Sequence, residues 1–254
     1  MKLWVSAFAA AALLFQVSNA GIADAQSYNA SLEFSSTQNP NGHWSYGWTQ
    51  TNGSAFNLLP IHTTLTGSEL GNPVPSTGVI NVWTSNCCGT LQPLVAHNST
   101  SYTLLSATAT VPPDFGDPWS AGYGISGLIL HPGPAGQNAV VRWTAPARGY
   151  YDVRATFRGL DEIGTTTNVA VYWNTTDQLF AGDVNGYAGY YCAVGTPRSS
   201  CVGGSPVQVY AGVVDLSKGD TLEFTVGYGT NGYGYDTTGL DVLVRPLPIT
   251  LPAL

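Results

Sequence analysis

The chain has 254 residues and a formal net charge of −7, and only 9% of its side chains are charged, far below the share usual in globular domains. Its eight Lys and Arg residues are scattered, so no basic stripe exists to displace counterions from nucleic acid or an anionic membrane. Solubility must rest instead on Ser, Thr, Asn, Gln and Tyr, as in many extracellular β proteins.

In chain order, residues 1–20 read as a secretory signal. Lys2 supplies a positive start and Leu3 to Phe15 an apolar run. Small-residue patterns follow at Ser18-Asn19-Ala20 and Ala23-Asp24-Ala25, so cleavage falls after residue 20 or as late as 25. That run is too short to span a bilayer, and no later stretch is apolar enough to cross one. The expectation is a protein secreted to the extracellular space or cell surface, with no membrane insertion. Residues 21–254 are of a size for a single domain, with an extended N-terminal segment and a Pro-rich tail.

The first half predicts strands at Ala30–Ser35, His43–Gln50, Val79–Thr84, Tyr102–Thr108 and Gly127–His131, with long loops at Leu59–Gly78 and Val111–Ser126. From Ala139 the signal is sharper. In Gly149–Arg158, Tyr151, Val153, Ala155 and Phe157 alternate with Asp152, Arg154, Thr156 and Arg158. That period of two describes a half-buried strand. Ala139–Thr144, Asn168–Trp173, Val207–Val214, Thr221–Val226 and Gly239–Val244 follow, separated by Gly/Pro/Asn turns. No window after the signal carries a helical apolar stripe. The fold class is therefore all-β, an antiparallel β-sandwich of the jelly-roll type.

Four cysteines in a secreted chain suggest two disulfides. Cys192 and Cys201 bracket a Gly/Pro/Ser-rich segment and are the favoured pair. Cys87 and Cys88 are neighbours, either bonded to each other in a strained ring or linked to another chain, and cross-links between the two pairs stay open. Sequons at Asn29, Asn52, Asn98 and Asn174 permit N-glycosylation.

The segment Asn39-Pro-Asn-Gly-His-Trp-Ser-Tyr-Gly47 resembles the opening of a large family of secreted proteins, many of them bacterial. Leu130-His-Pro-Gly-Pro134, Val140-Val-Arg-Trp-Thr-Ala-Pro146, Thr165–Val169 and the Gly227–Asp241 ending match the same family in the same order. The family is similar to the jelly-roll sugar-binding modules attached to polysaccharide-degrading enzymes. The Cys87-Cys88 pair and the Pro-rich tail depart from its pattern. The resemblance implies a glycan or polysaccharide partner and a structural Ca²⁺ between the first and last strands. By position its ligands would be Glu33, Asp236 and Asp241. Turn capping by Asp236 is the competing reading.

Aromatic residues interleaved with Gly and Asn are the candidates for stacking on sugar rings. In the loops these are Trp119, Tyr123, Tyr187, Tyr190, Tyr233 and Tyr235. Trp44, Tyr46 and Trp48 alternate on one strand and offer either a binding platform or a core stripe. The close carboxylate pairs, Asp114/Asp117 and Asp161/Glu162, are sequence neighbours rather than groups facing each other across a cleft. The histidines lack metal-ligand spacing. The leading expectation is a non-catalytic, extracellular carbohydrate-binding or surface protein. The alternative is a self-associating filament or coat subunit that adds strands and forms disulfides between copies. A polysaccharide-active hydrolase or lyase is third.

Overall fold

The computed structural model describes residues 26–69, 77–85, 90–98, 100, 104–105, 114–115, 127–161, 165–186, 188 and 204–248. Their regular structure is β throughout. The strands are β1 (Tyr28–Asn29), β2 (Trp44–Thr49), β3 (Asn57–Leu58), β4 (Ile61–Glu69), β5 (Thr77–Thr84), β6 (Leu94–Asn98), β7 (Leu104–Leu105) and β8 (Asp114–Phe115). They continue with β9 (Leu128–His131), β10 (Asn138–Thr144), β11 (Gly149–Gly159), β12 (Thr165–Trp173), β13 (Asp177–Gly186), β14 (Val207–Leu216), β15 (Thr221–Gly227) and β16 (Thr238–Pro246).

Two antiparallel sheets result. The ten-stranded sheet runs β14-β11-β16-β9-β6-β5-β4-β7-β8, with β1 also paired to β16. The six-stranded sheet runs β13-β12-β15-β10-β2-β3. From β10 onward the chain crosses between sheets at nearly every connection, the habit of a jelly roll. The fold is the all-β antiparallel sandwich expected from the sequence.

Alternation explains the packing. Along β11 the odd-numbered apolar residues are buried while Tyr150, Asp152, Arg154, Thr156 and Arg158 point outward. The inner faces of both sheets meet in one core that contains Trp44, Tyr46, Trp143, Phe157 and Phe224, all under 2% exposed. The aromatic stripe on β2 is thus core rather than platform, with Trp48 also packed against it. Trp44 lies directly across from Trp143. The rings of Tyr28 and Tyr151 lean on Trp143 at 5.3 and 5.1 Å.

A second, smaller core occupies the opposite face of the large sheet. Ile80, Val82, Leu94, Ala96, Ile129 and Leu160 gather there, while Trp83, Val95, Leu128 and Leu130 face the main core. This is why Ile80, Val82 and Trp83 on β5, Leu94, Val95 and Ala96 on β6 and Leu128, Ile129 and Leu130 on β9 are apolar in runs that put side chains on both faces, with no clean alternation.

Several sequence expectations need correction. Ala30–Ser35 is not a strand: pairing ends at Asn29, whose Oδ1 accepts from the Ser31 and Leu32 amides at 3.1 and 3.0 Å. Such a side-chain turn competes with strand extension. The stretch read as a loop from Leu59 to Gly78 contains β4, a Thr-rich strand that pairs with β5 from Ile61 to Ser68. The strands β6 and β13 were not anticipated. β13 is a polar edge strand with little apolar signal to read. Within the N-terminal segment, Tyr28, Asn29 and Ala30 bond to this chain's own β16.

Candidate functional site

Register composes a polar row on the outer face of the small sheet. Thr49 on β2 is paired with Asn138 on β10, and Gly227 on β15 with Asn168 on β12. Since Ala139 pairs with Val226, Asn138 and Gly227 are level with each other. Gly227 is required here. A Cβ at that position would stand 2.5 Å from Asn138 Oδ1 and 2.6 Å from Asn168 Oδ1. Only glycine lets the two carboxamides flank the strand.

Each amide is held by a neighbour. Asn138 Nδ2 donates to Asn52 Oδ1 at 2.8 Å, and the Gly229 amide donates to Asn168 Oδ1 at 2.8 Å. Gln50 Nε2 donates to the Ala135 carbonyl at 3.0 Å. The turn that carries Asn52 closes when Ser54 N donates to Thr51 O at 3.1 Å, with Gly53 at φ +78°. Gly136, at φ +87°, leaves room for the Tyr228 ring, which lies 3.3 Å from where its Cβ would be. Phe56 crosses Gly47 and stacks on Arg142, whose Cζ is 3.8 Å from the ring centre. That stack fastens the loop to the sheet.

The result is an open cleft of about 230 Å³ lined by Gln50, Thr51, Asn52, Gly136, Asn138, Asn168, Tyr228 and Gly229. None of these side chains is charged. Carboxamides donate and accept at once, and a tyrosine ring adds an apolar face. That combination matches a polar, uncharged ring bearing several hydroxyls.

The sequence-predicted aromatics are placed differently. Tyr233 and Tyr235 share the β15–β16 loop with Tyr228 but do not line the cleft. Tyr233 meets the His131 ring at 6.2 Å, and Tyr235 is half-exposed at φ +65°. Trp119, Tyr123, Tyr187 and Tyr190 lie outside the described residues, as do Cys87, Cys88, Cys192 and Cys201. Sequence reasoning missed Gln50, Asn138 and Asn168; it singled out the Tyr- and Gly-rich stretch 227–235 that holds Tyr228 but named Tyr233 and Tyr235 within it. Of the lining side chains Asn52 was noticed, and only as a sequon. The other sequons differ in setting: Asn29 caps its turn, Asn174 is exposed and bonded to Asp220, and Asn98 is 1% exposed with its Oδ1 holding the Thr100 amide. Burial closes Asn98 to a glycan in the folded chain.

The three carboxylates named for calcium do not share a site. Glu33 accepts from the Asn29 amide at 2.7 Å, beside the stretch of β16 around Leu243. Asp236 precedes β16, some seven residues away, roughly 20 Å of extended chain. Asp241 points to the outer face of the large sheet, across from Thr156. Among the described residues no three His, Cys, Asp or Glu side chains group to hold a metal ion. Asp236 instead anchors a turn: the Thr166 amide and hydroxyl reach its Oδ1 at 3.2 and 3.1 Å, tying the β15–β16 loop to β12. Burial pushes its carboxyl up to about 7.

Two kinds of buried group give stability opposite pH slopes. Burial lifts Asp241 to about 7, against the pull of Arg158. A carboxyl raised this way favours folding below its unfolded value near 4 and loses that contribution as pH rises through 7. Burial lowers His97 and His131 to about 4. Their contribution is complete above the unfolded value of about 6.5 and is lost as pH falls through 4. Asp241→Asn is expected to stabilise the protein at pH 8 by about 2–4 kcal/mol, with the gain vanishing toward pH 4. The variant should then keep the histidine slope below pH 6.5 together with the Asp236 slope alone on the alkaline side, where wild type has two raised carboxyls. Denaturant unfolding across this range checks it; parallel curves for variant and wild type would refute it.

No family model matches the chain, and no curated protein matches it. Among solved structures it is similar to a family 35 carbohydrate binding module from Clostridium thermocellum, at TM-score 0.30 and 13% identity over 51% of this chain and 85% of that one. It is similar to CBM51 from Clostridium perfringens GH95 in complex with methyl-galactose, at TM-score 0.29 and 15% identity over 47% and 69%. The figures for CBM35 from Paenibacillus barcinonensis are 0.28 and 18%, over 61% and 98%. Likeness at this level transfers no residue role to this chain.

Proposed function

We propose that this is an extracellular, non-catalytic carbohydrate-binding protein whose cleft takes an uncharged sugar ring. One observation carries the reading: the cleft brings Gln50, Asn52, Asn138 and Asn168 beside the Tyr228 ring with no ionisable carboxylate or ammonium among its lining residues. A lining of this kind offers hydroxyl-sized hydrogen bonds and a stacking surface, while it gives an acidic sugar no cation to pair with. It also holds no carboxyl pair for glycosidic acid–base work. The openness of the cleft favours modest affinity with a chain end or a single exposed unit.

A glycan array followed by calorimetric titration tests the assignment. Binding is expected among neutral oligosaccharides and not among uronates or sulfated glycans. Tyr228→Ala, which removes the ring, and Gln50→Ala, which removes an exposed donor and acceptor, should each weaken binding about tenfold, near 1.4 kcal/mol. An array without neutral hits, or binding untouched by both substitutions, would sink it.

A further inference from the structure

Among the described residues β14 ends the large sheet, and its outer side is built unlike a protected edge. Val207, Val209 and Val213 on it are 39%, 59% and 60% exposed. The run Val207–Val214 contains no charge, proline or bulge, and all ten of its residues pair in continuous register with β11. Sheet edges are ordinarily blunted by charges, prolines, bulges or short length. Here the nearest charge on the strand is Asp215, at its far end.

Backbone phase shows which groups are unused. The Gly159 amide donates to the Pro206 carbonyl at 2.9 Å. In an antiparallel ladder the bonded pairs alternate, so Gln208, Tyr210, Gly212 and Val214 turn their backbone groups toward β11. Val207, Val209, Ala211 and Val213 turn theirs away from it. Among the described residues the last backbone pairing of this edge with β13 is the bridge of Asn185 to Ser205, before β14 begins. Past that point, among the described residues, side chains join the two strands on the inner face: Gln208 Nε2 donates to the Asp183 carbonyl at 2.7 Å and the Phe180 and Tyr210 rings lie 5.9 Å apart.

We infer that β14 is a self-complementary docking edge, at which a second copy of this chain adds antiparallel across a twofold axis through Tyr210. That axis sets Val207 opposite Val213 of the other copy and Val209 opposite Ala211. Each of these pairs has its free amides and carbonyls in phase to bond. A shift by one bonded position places Asp215 opposite Val207, or Ser205 opposite Val213, so the Tyr210 axis alone pairs all four apolar side chains with one another. The two large sheets become one continuous sheet through the dimer. Because the cleft lies on the small sheet, sugar binding and pairing are independent.

Sedimentation velocity over a range of concentrations tests the inference with the secreted chain. A reversible monomer–dimer equilibrium is expected. Val209→Lys should weaken it at least tenfold by placing a charge on the seam. Ala211→Pro should do the same by removing an edge amide that serves no bond among the described residues. Both should keep the wild-type unfolding midpoint to within a few degrees, and Val213→Lys gives the same readout should either fail to fold. A wild-type chain that stays monomeric at the highest concentration, or a dimer indifferent to these substitutions, overturns the inference. Titration with a bound sugar in the same samples reports the cleft separately.

Discussion

Replacing Trp143 with alanine is expected to remove about 3–5 kcal/mol of stability, enough to leave much of the chain unfolded at 37 °C if its total is typical. The indole is fully buried, faces Trp44 across the β2–β10 ladder and touches Tyr28 and Tyr151. Its removal empties the centre of the main core, where large rings on rigid strands cannot close inward to fill the void. Trp143→Phe should cost much less. The indole Nε1 is buried without a hydrogen-bond partner, so the smaller ring loses contact area but no bond. Urea unfolding of the two variants distinguishes these effects, and equal losses would show that the site relaxes more freely than its packing implies.

Arg142→Met is the second large effect, at about 3–5 kcal/mol. Glu223 is 1% exposed, and its Oε1 receives Arg142 Nε at 3.0 Å, Arg142 Nη2, and the Thr175 hydroxyl at 2.8 Å. Without the guanidinium a buried carboxylate keeps one neutral donor. The double variant Arg142→Met with Glu223→Leu should recover most of the loss, because an apolar pair leaves no uncompensated charge. Sugar affinity is expected to stay low in both, since the Phe56 ring, and with it the loop carrying Gln50 and Asn52, rests on Arg142. Recovery of stability without recovery of binding is therefore the discriminating outcome.

How much of this was legible in the sequence depended on whether a strand has one wet face. β10, β11, β12, β15 and β16 could be read because one face meets the core and alternation follows. β5 and β9 were also found, as Val79–Thr84 and Gly127–His131, while β6, a five-residue strand buried at four of its positions, has no alternation to mark it and was missed. β4 owes its place to threonines and to pairing with β5 rather than to an apolar stripe of its own. At Asn29 a local side-chain turn outcompeted a plausible strand. The cleft was invisible for a different reason. Asn52, Asn138, Asn168 and Tyr228 are scattered through the chain, and each looks like an ordinary strand-end or turn residue. Only the register that sets Asn138 level with Gly227 and Asn168 brings them together.

The position of β16 has a consequence for how the molecule is made. In the large sheet β11 and β14 form one block and β4, β5, β6 and β9 another, and β16 is the strand that joins them. It also receives β1, so the earliest and latest described strands lie side by side. During synthesis the middle of this sheet is an empty slot until the last ladder emerges, and neither block can close on its neighbour before then. Such a keystone makes maturation late and all-or-none, with long-range pairing deferred to the end. A chain stopped short of Thr238 would have two half-sheets and nothing to span them.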